Sequence, residues 1–253
     1  MTRERWWEPL YDDLLAELFL VRVDPAELEA TLGFLARALA LEPGHRVFDQ
    51  CCGIGSLAVP LAERGLDVVC VDQAERYIAR VAEAARAREV TLDLHAADAH
   101  DFVTPAPCHA AFNWWTSFGY TPDDAHNARM FARVHDSLLP GGRFALDTLH
   151  LPGVLRHFQR DVVTHRNTAQ GEVTLWRQTE LELEDGMMAK RWTYFLPDGT
   201  QRVHQSRVRL YLPHQLRAML EAQGFEELRF YGSVQGEPLA LDSPRCICVA
   251  RRA

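Results

Sequence analysis

The amino-acid sequence predicts an α/β fold, in which a doubly wound, mostly parallel, seven-stranded sheet is joined by N-terminal helices and an antiparallel β insertion. Between residues 46 and 147, short apolar runs typical of buried strands alternate with amphipathic helical segments. Residues 161–212 instead contain β-rich runs separated by turn signals. A helix and two strands then follow to complete the sheet.

The first part of the chain is predicted to be helical. Leucines and a phenylalanine recur at helical spacing between residues 10 and 19. The run Asp-Pro-Ala-Glu at 24–27 is typical of a helix start, because Asp caps free N–H groups and Pro suits the first helical position. Residues 1–44 are therefore expected to form an N-terminal cap or lid.

The alternating region predicts the order of the sheet elements. Strands are expected at 47–49, 67–71, 90–94, 110–114 and 143–147, and helices at 56–64, 75–88 and 123–139. Pro140-Gly141-Gly142 is expected to end the last of these helices before the next strand. The final helix is expected at 213–223, with strands at 228–231 and 245–250. Residues 45–150 and 213–253 are thus predicted to form one ligand-binding domain, with 151–212 as an insertion of about four strands on the substrate side.

Composition and charge exclude several functional classes. The formal net charge is −8, and no basic stripe of the kind that binds nucleic acid is present; Arg207 and Arg209 are the nearest approach. No apolar run is long enough to span a bilayer, and the first residues do not resemble a signal peptide, so we expect a cytoplasmic protein without a membrane partner. A monomer or homodimer is expected.

The cysteine pattern indicates reduced, structural thiols. Six cysteines are scattered through apolar runs, whereas a secreted disulfide scaffold would be shorter and denser in cysteine. Their spacing does not match that of a zinc knuckle. No metal site is therefore expected.

The most informative motif is Asp-Gln-Cys-Cys-Gly-Ile-Gly-Ser at 49–56, directly after the first strand. Gly53 and Gly55 would let the backbone approach a ligand closely, and the following helix would offer free N–H groups. Asp72, at the end of the second strand, can accept both hydroxyls of a ribose. The spacing also fits a dinucleotide fingerprint with Ala58 in the third position, so the glycines alone leave a nicotinamide cofactor open.

Three further features favour a cofactor other than a dinucleotide. Asp49 precedes the glycine turn, where it would repel a pyrophosphate and attract an ammonium or sulfonium group. Asp98 follows the third strand, where it can hydrogen-bond an adenine amino group. Pro-Gly-Gly before the fifth strand is the third feature.

With these features the sequence resembles the class I S-adenosylmethionine-dependent methyltransferases. The run from Asp49 to Gly55 resembles their first motif, Asp-x-Gly-x-Gly-x-Gly, although Cys51 replaces the first glycine. Asp72 matches the ribose-binding acid, residues 97–99 the adenine-contact segment, and residues 139–142 the turn before strand five. The resemblance covers residues 45–147 well and 211–250 more loosely. It implies a Rossmann-like fold with S-adenosylmethionine as cofactor.

The resemblance and the strand ends together give a set of candidate cofactor-binding residues: Tyr11, Asp49, Cys51, Gly53, Gly55, Asp72, Gln73, Asp98, Ala99, Asn113 and Trp114. Trp6, Trp7 and Tyr11 form an aromatic cluster that would either close over the cofactor as a lid or dock as an amphipathic helix. Tyr11 would reach the cofactor carboxylate if the lid closes.

Two residues are candidate catalytic groups. Tyr120 ends an aromatic run at 113–120, which would either bind a sulfonium or amine by cation–π attraction or pack in the core. His150 follows the fifth strand and would be a base or substrate contact, or else a loop histidine bonded to a backbone carbonyl.

The predicted function is methyl transfer to an N, O or C nucleophile of a small molecule. The β insertion is similar to that of amino-sugar N-methyltransferases and other natural-product enzymes, which implies a role in secondary metabolism. A nicotinamide-dependent oxidoreductase and a non-catalytic S-adenosylmethionine-binding protein are the alternatives.

Overall fold

The computed structural model describes residues 5–21, 24–168 and 171–253, so residues 1–4 and 22–23 of the expected N-terminal cap lie outside it. The strands in these residues are β1 (Arg46–Gln50), β2 (Asp67–Asp72), β3 (Asp93–Ala96), β4 (Cys108–Asn113), β5 (Leu138–Leu149), β6 (Asp161–Thr168), β7 (Gly171–Glu182), β8 (Met187–Phe195), β9 (Gln201–Arg209), β10 (Phe225–Tyr231) and β11 (Arg245–Arg252). The helices are α1 (Trp7–Leu10), α2 (Asp13–Leu15), α3 (Pro25–Ala38), α4 (Ala58–Glu63), α5 (Glu75–Ala87), α6 (Asp124–Ser137), α7 (Leu151–Arg156) and α8 (Pro213–Glu221), with a π-helical turn at Ala16–Leu20.

The larger sheet has seven strands in the order β3-β2-β1-β4-β5-β11-β10. Strands β1 to β5 run parallel, whereas β11 pairs antiparallel with both β5 and β10. The strand order reverses between β1 and β4, which is where an open α/β sheet binds its ligand. The predicted α/β fold is confirmed.

Helices cover both faces of this sheet, because successive residues of a buried strand point to opposite sides. In β1, Val47 belongs to a core cluster with Leu32 of α3 and Leu61 of α4. The adjacent Phe48 belongs to a second cluster with Phe131 of α6. None of the helices in the described residues combines the length and apolar character needed to cross a bilayer.

The second sheet is antiparallel, with the order β6-β7-β8-β9. It forms where the sequence predicts an antiparallel insertion; residues 183–186 connect β7 to β8, and residues 196–200 connect β8 to β9. The N-terminal segment packs against one face of it: Leu14, Leu18 and Phe19 contact a small buried cluster of Val173, Leu175, Tyr194 and Leu196. At its other end, the backbone N–H of Arg209 donates to the carbonyl of Gly119 at 2.6 Å.

Some predicted elements were wrong in their limits. The third strand begins at Asp93, three residues later than predicted. The Pro-Gly-Gly segment lies inside β5, where the pairing shifts from Cys108↔Leu138 to Ala110↔Arg143 and Gly141 has φ +77°. It is therefore a bulge in the strand and not a loop before it.

The helix predicted over residues 10–19 is broken. Asp12 leaves the helical conformation and its side chain accepts a hydrogen bond from the backbone N–H of Leu15 at 2.9 Å, which starts α2 anew. The π-helical turn then follows. The Asp24 cap of α3 forms as predicted, accepting from the N–H of Ala26 at 2.9 Å.

Candidate active site

A cavity of about 750 Å³ lies at the carboxyl ends of β1, β2, β3 and β4. Its lining residues are Arg5, Trp7, Glu8, Tyr11, Leu20, Cys51, Cys52, Gly53, Ile54, Ser56, Asp72, Gln73, Ala74, Glu75, Arg76, Tyr77, Ala97, Asp98, Ala99, His100, Trp114, Trp115, Ser117, Tyr120 and Met130. The floor comes from the sheet and the roof from the N-terminal segment. The volume is in the range of small-molecule and cofactor sites.

The turn after β1 shapes the floor of the cavity. Cys51 has φ +68° and Gly53 has φ +55°, so the cysteine occupies a backbone region that favours glycine. The N–H of Gly53 donates to Asp72 Oδ2 at 2.9 Å, which ties the turn to the end of β2. Gly55 does not line the cavity; a Cβ there would lie 3.0 Å from Val81 Cγ1, so this glycine serves the close packing of the turn on α5.

Asp72 is the best-positioned carboxylate for a diol. Its Oδ1 accepts from the N–H of Ala74 and its Oδ2 from that of Gly53, each at 2.9 Å. Burial raises the pKa of Asp72, and these two backbone N–H groups oppose the rise. An ionised carboxylate offers about four acceptor sites, so two remain for ligand hydroxyls.

Asp98 forms the far wall, after β3. Its Oδ1 accepts from the backbone N–H of His100 at 2.9 Å and from the His100 ring at 2.8 Å, while Oδ2 faces Arg5 at 3.2 Å. The His100 side-chain bond is the main reason that the pKa of Asp98 lies well below its usual value. Asp98 is therefore an anion at any physiological pH.

The N-terminal segment covers the cavity through side-chain bonds to three elements of the core. Trp7 Nε1 donates to Gln73 Oε1 at 2.8 Å, and Trp6 Nε1 donates to the carbonyl of Tyr120 at 3.2 Å. Ser56 Oγ donates to the carbonyl of Leu20 at 2.8 Å. Trp7 and Tyr11 of the predicted aromatic cluster thus line the cavity.

Tyr11 and Tyr120 form a hydrogen-bonded pair under this cover, with their rings stacked at 6.1 Å. Burial raises the pKa of Tyr11 to about 12 and holds that of Tyr120 well above its ordinary value. Both phenols are therefore protonated at neutral pH. They can donate and accept hydrogen bonds, but neither is a base.

Four predicted site residues do not line the cavity: Asp49, Gly55, Asn113 and His150. Asp49 is 3% exposed and lies within the sheet between β2 and β4, where burial and the charge of Asp72 raise its pKa. Asn113 is fully buried, and its Nδ2 donates to Gln50 Oε1 at 3.2 Å. Both lie behind the floor of the site.

The placement of His150 corrects its candidacy as a base. Its ring is 3% exposed, and Nδ1 donates to the carbonyl of Ser243 at 3.0 Å. It precedes α7, a helix absent from the sequence prediction, which turns the chain away from the cavity. His150 is thus the loop histidine bonded to a backbone carbonyl.

The remaining predicted residues, Tyr11, Cys51, Gly53, Asp72, Gln73, Asp98, Ala99, Trp114 and Tyr120, all line the cavity. Sequence reasoning missed several others, among them Arg5, Tyr77 and His100. Arg5 belongs to no recognisable motif, and its position in the sequence does not distinguish it from a surface arginine. His100 was findable, because it follows Asp98 by two residues and can close a turn on that carboxylate.

Comparison with known proteins gives one family match: residues 47–142 match the family described as "Methyltransferase domain". A protein of Geobacillus sp. (strain WCH70) named as a methyltransferase is 24% identical over 96% of this chain and 96% of its own length.

Two solved structures share the fold. A sugar N-methyltransferase from Streptoalloteichus sp. ATCC 53650 superposes with a TM-score of 0.70 at 20% identity, over 90% of this chain and 87% of that one. An amino pentose methyltransferase from Micromonospora echinaspora, involved in calicheamicin biosynthesis and bound to S-adenosylmethionine, superposes with a TM-score of 0.70 at 19% identity, over 96% and 98%.

Proposed function

We propose that this chain transfers the methyl group of S-adenosylmethionine to a nitrogen, oxygen or carbon nucleophile of a small molecule, in secondary metabolism. The match of residues 47–142 to the family described as "Methyltransferase domain" supports the reaction. The observation that carries the proposal is Asp72. Its carboxylate is held by two backbone N–H groups beside the glycine turn and keeps two acceptor sites directed to a ligand. That arrangement suits a ribose diol.

The residues of the cavity fit this cofactor. When bound, S-adenosylmethionine supplies an activated methyl group on a sulfonium centre. Asp72 would hold the ribose, while Asp98 and Ala99 would lie against the adenine. Tyr11 and Trp114 would contact the amino-acid end. Because Trp7 bonds to Gln73 across the cavity, the N-terminal segment would help to exclude water from the bound cofactor.

An amine is the nucleophile that the site suits best. Neither tyrosine of the buried pair is ionised at neutral pH, and His150 lies outside the cavity, so none of these three side chains is placed to deprotonate a hydroxyl. A neutral amine needs no base before it attacks, since it loses its proton afterwards. The fold shared with a sugar N-methyltransferase and an amino pentose methyltransferase also supports this choice.

Tyr120 is proposed as the residue that orients the nucleophile. Its hydroxyl shares a hydrogen bond with Tyr11 and its ring contacts Trp6 at 4.8 Å, so the phenol is fixed from two sides. A fixed acceptor can align the lone pair of an amine with the methyl group. Positioning of this kind supplies much of the catalysis when the leaving group is already good.

The test is binding followed by turnover. S-adenosylhomocysteine at micromolar concentration is expected to raise the melting temperature, because a ligand that binds only the folded state stabilises it by mass action. Mass spectrometry with S-adenosylmethionine and a panel of small amines and amino sugars should then detect a product 14 Da heavier. The mass difference is that of one CH₂, about 14 Da, the net change on methylation.

The alternatives predict different results. A nicotinamide-dependent enzyme would be stabilised by the reduced nicotinamide cofactor and unaffected by S-adenosylhomocysteine. A non-catalytic binding protein would be stabilised by S-adenosylhomocysteine but would methylate no acceptor. The absence of any stabilisation by an adenosyl cofactor would refute the proposal.

A further inference from the structure

Lys190 is the only lysine in the chain. The 27 basic residues comprise 26 arginines and this one lysine. It lies in β8, on the face of the four-stranded sheet that packs against Leu14, Leu18 and Phe19. A lysine that stands alone in an arginine-rich chain, and is partly buried, needs a specific explanation.

Lys190 shares an aromatic support with Arg177 of β7. Arg177 pairs directly with Trp192 across the strands, and Lys190 lies two residues before Trp192, so all three side chains are on one face. Arg177 Cζ is 5.8 Å and Lys190 Nζ is 5.9 Å from the centroid of the Trp192 ring. Phe19 packs edge-on against Trp192, with ring centroids 5.7 Å apart. Both cations therefore lie over the same indole ring.

The charges of this pair are not balanced by the described part of the chain. No ion pair there involves Arg177 or Lys190, and both pKa values are lowered, first by burial. The next cause for Lys190, whose pKa falls to about 8, is the charge of Arg177. The carboxylate that acts on this face is Asp12, whose charge raises the pKa of Tyr194. Asp12 already faces another cation, because its Oδ2 lies 3.8 Å from Arg202 Nη1.

Three buried polar atoms on this face of the sheet have no hydrogen-bond partner in the described residues: the hydroxyl of Tyr194, Nε of Arg177 and Nε2 of His204. Tyr194 is 1% exposed, so its hydroxyl has lost water without gaining a protein partner. A buried polar atom without a partner is unfavourable unless a ligand pairs with it. Donors and cations gathered on one face are complementary to an anion.

We propose that Lys190 and Arg177 form a subsite for an anionic oxygen group, a carboxylate or a phosphate, of the methyl acceptor. This rests on the proposed function for its location but not for its chemistry. Trp192 orients the two cations from below, while the Tyr194 hydroxyl and the His204 ring supply further polar contacts.

Strand β9 connects this face to the cavity. Lys190 pairs with Ser206 of β9, and the backbone N–H of Arg209, three residues later, donates to the carbonyl of Gly119, next to Tyr120. Tyr120 lines the cavity. The sheet that carries the two cations is therefore joined directly to the cavity wall.

The lone lysine makes the test selective. Reductive methylation with ¹³C-formaldehyde gives Lys190 and the N-terminal amine the only labelled signals, and dimethylation preserves the charge. In protein saturated with S-adenosylhomocysteine, Lys190 should titrate with a pKa near 8. Sodium phosphate or sodium acetate should raise that pKa by about one pH unit, as a close opposite charge does. Sodium chloride at equal ionic strength is the reference.

Variants separate this subsite from general effects. Phosphate or acetate should raise the melting temperature of the unaltered protein. Lys190→Met should abolish that rise, whereas Arg191→Met, on the exposed opposite face of the same strand, should retain it. A response to phosphate alone or to acetate alone would identify the anion. If neither anion moves the Lys190 signal, or if Lys190→Met keeps the full anion response, the proposal is wrong. Stabilisation of Lys190→Met by S-adenosylhomocysteine reports separately on the cofactor site.

Discussion

The two sheets of this molecule differ in how their charged side chains are stabilised. At the edge of the seven-stranded sheet, Asp72 and Asp98 are ringed by backbone N–H groups and by His100, so each carboxylate is stabilised before a ligand arrives. On the four-stranded sheet, Lys190 and Arg177 share only an indole. One site is pre-organised by its own backbone, whereas the other leaves charges for a ligand to satisfy.

The N-terminal segment lies between these two regions and contacts both. Leu20 lines the cofactor cavity, while the preceding Phe19 packs on Trp192 of the second sheet. Adjacent residues of the π-helical turn therefore face different sites. A ligand in the cavity and an anion on the second sheet would therefore both lie close to this one segment.

The largest expected effect is at Asp72. Asp72→Ala removes two hydrogen bonds from a charged acceptor to the ribose, which are worth about 1.5–3 kcal/mol each before relaxation. We therefore expect the Kd for S-adenosylhomocysteine, measured by calorimetry, to rise at least about 100-fold. Asp67→Asn, at the opposite end of β2, should leave it unchanged.

Asp72→Ala also tests whether the two sheets bind their ligands independently. The response of the Lys190 signal to phosphate or acetate should persist in Asp72→Ala without cofactor, because the second sheet holds its own cations. Loss of cofactor binding in Asp67→Asn as well would mean that fold disruption, and not the ribose contact, explains the result.

A smaller effect is expected at Tyr120, where the two regions meet. Tyr120→Phe keeps the ring packing on Trp6 and removes the hydroxyl shared with Tyr11. We expect kcat to fall about 10-fold, equivalent to about 1.4 kcal/mol, with little change in the Kd for S-adenosylhomocysteine. Tyr11→Phe combined with it should add less than the sum of the two single effects, because both remove the same bond. A wild-type kcat in Tyr120→Phe would show that the hydroxyl does not orient the nucleophile.

The sequence predicted the residues of the cavity far better than the pair of cations on the second sheet. The carboxyl ends of parallel strands converge in every sheet of this kind, so finding Asp72 and Asp98 after two strands was enough to place both in one cavity. The turn that follows β1 was predicted from its local sequence, which includes Cys51 and Gly53. No comparable rule relates Arg177, Lys190 and Trp192, because their meeting depends on the register of β7 against β8 and on the segment that packs over them.

The errors have the same physical origin. The residues at 140–142 carry strong turn signals, but pairing with β4 retains them in β5 as a bulge. Asp12 caps a new helical turn, so the helix predicted over 10–19 breaks there. In both cases a tertiary or capping contact outweighed the local sequence pattern. Hydrophobic periodicity does not predict either contact.

His150 gives the smallest expected effect on catalysis and tests whether closeness to a strand end suffices for a role. It follows β5, as Trp114 follows β4, but its ring Nδ1 donates its hydrogen bond to the carbonyl of Ser243. His150→Ala should lower the free energy of unfolding by about 1–3 kcal/mol, since a buried carbonyl loses its partner, while kcat and the Kd for S-adenosylhomocysteine stay at wild-type values. His157→Ala, at the exposed end of α7, should change neither stability nor rate. A 10-fold fall in kcat for His150→Ala without loss of stability would restore it to the site, and the functional edge of the large sheet would then extend past β4 to β5.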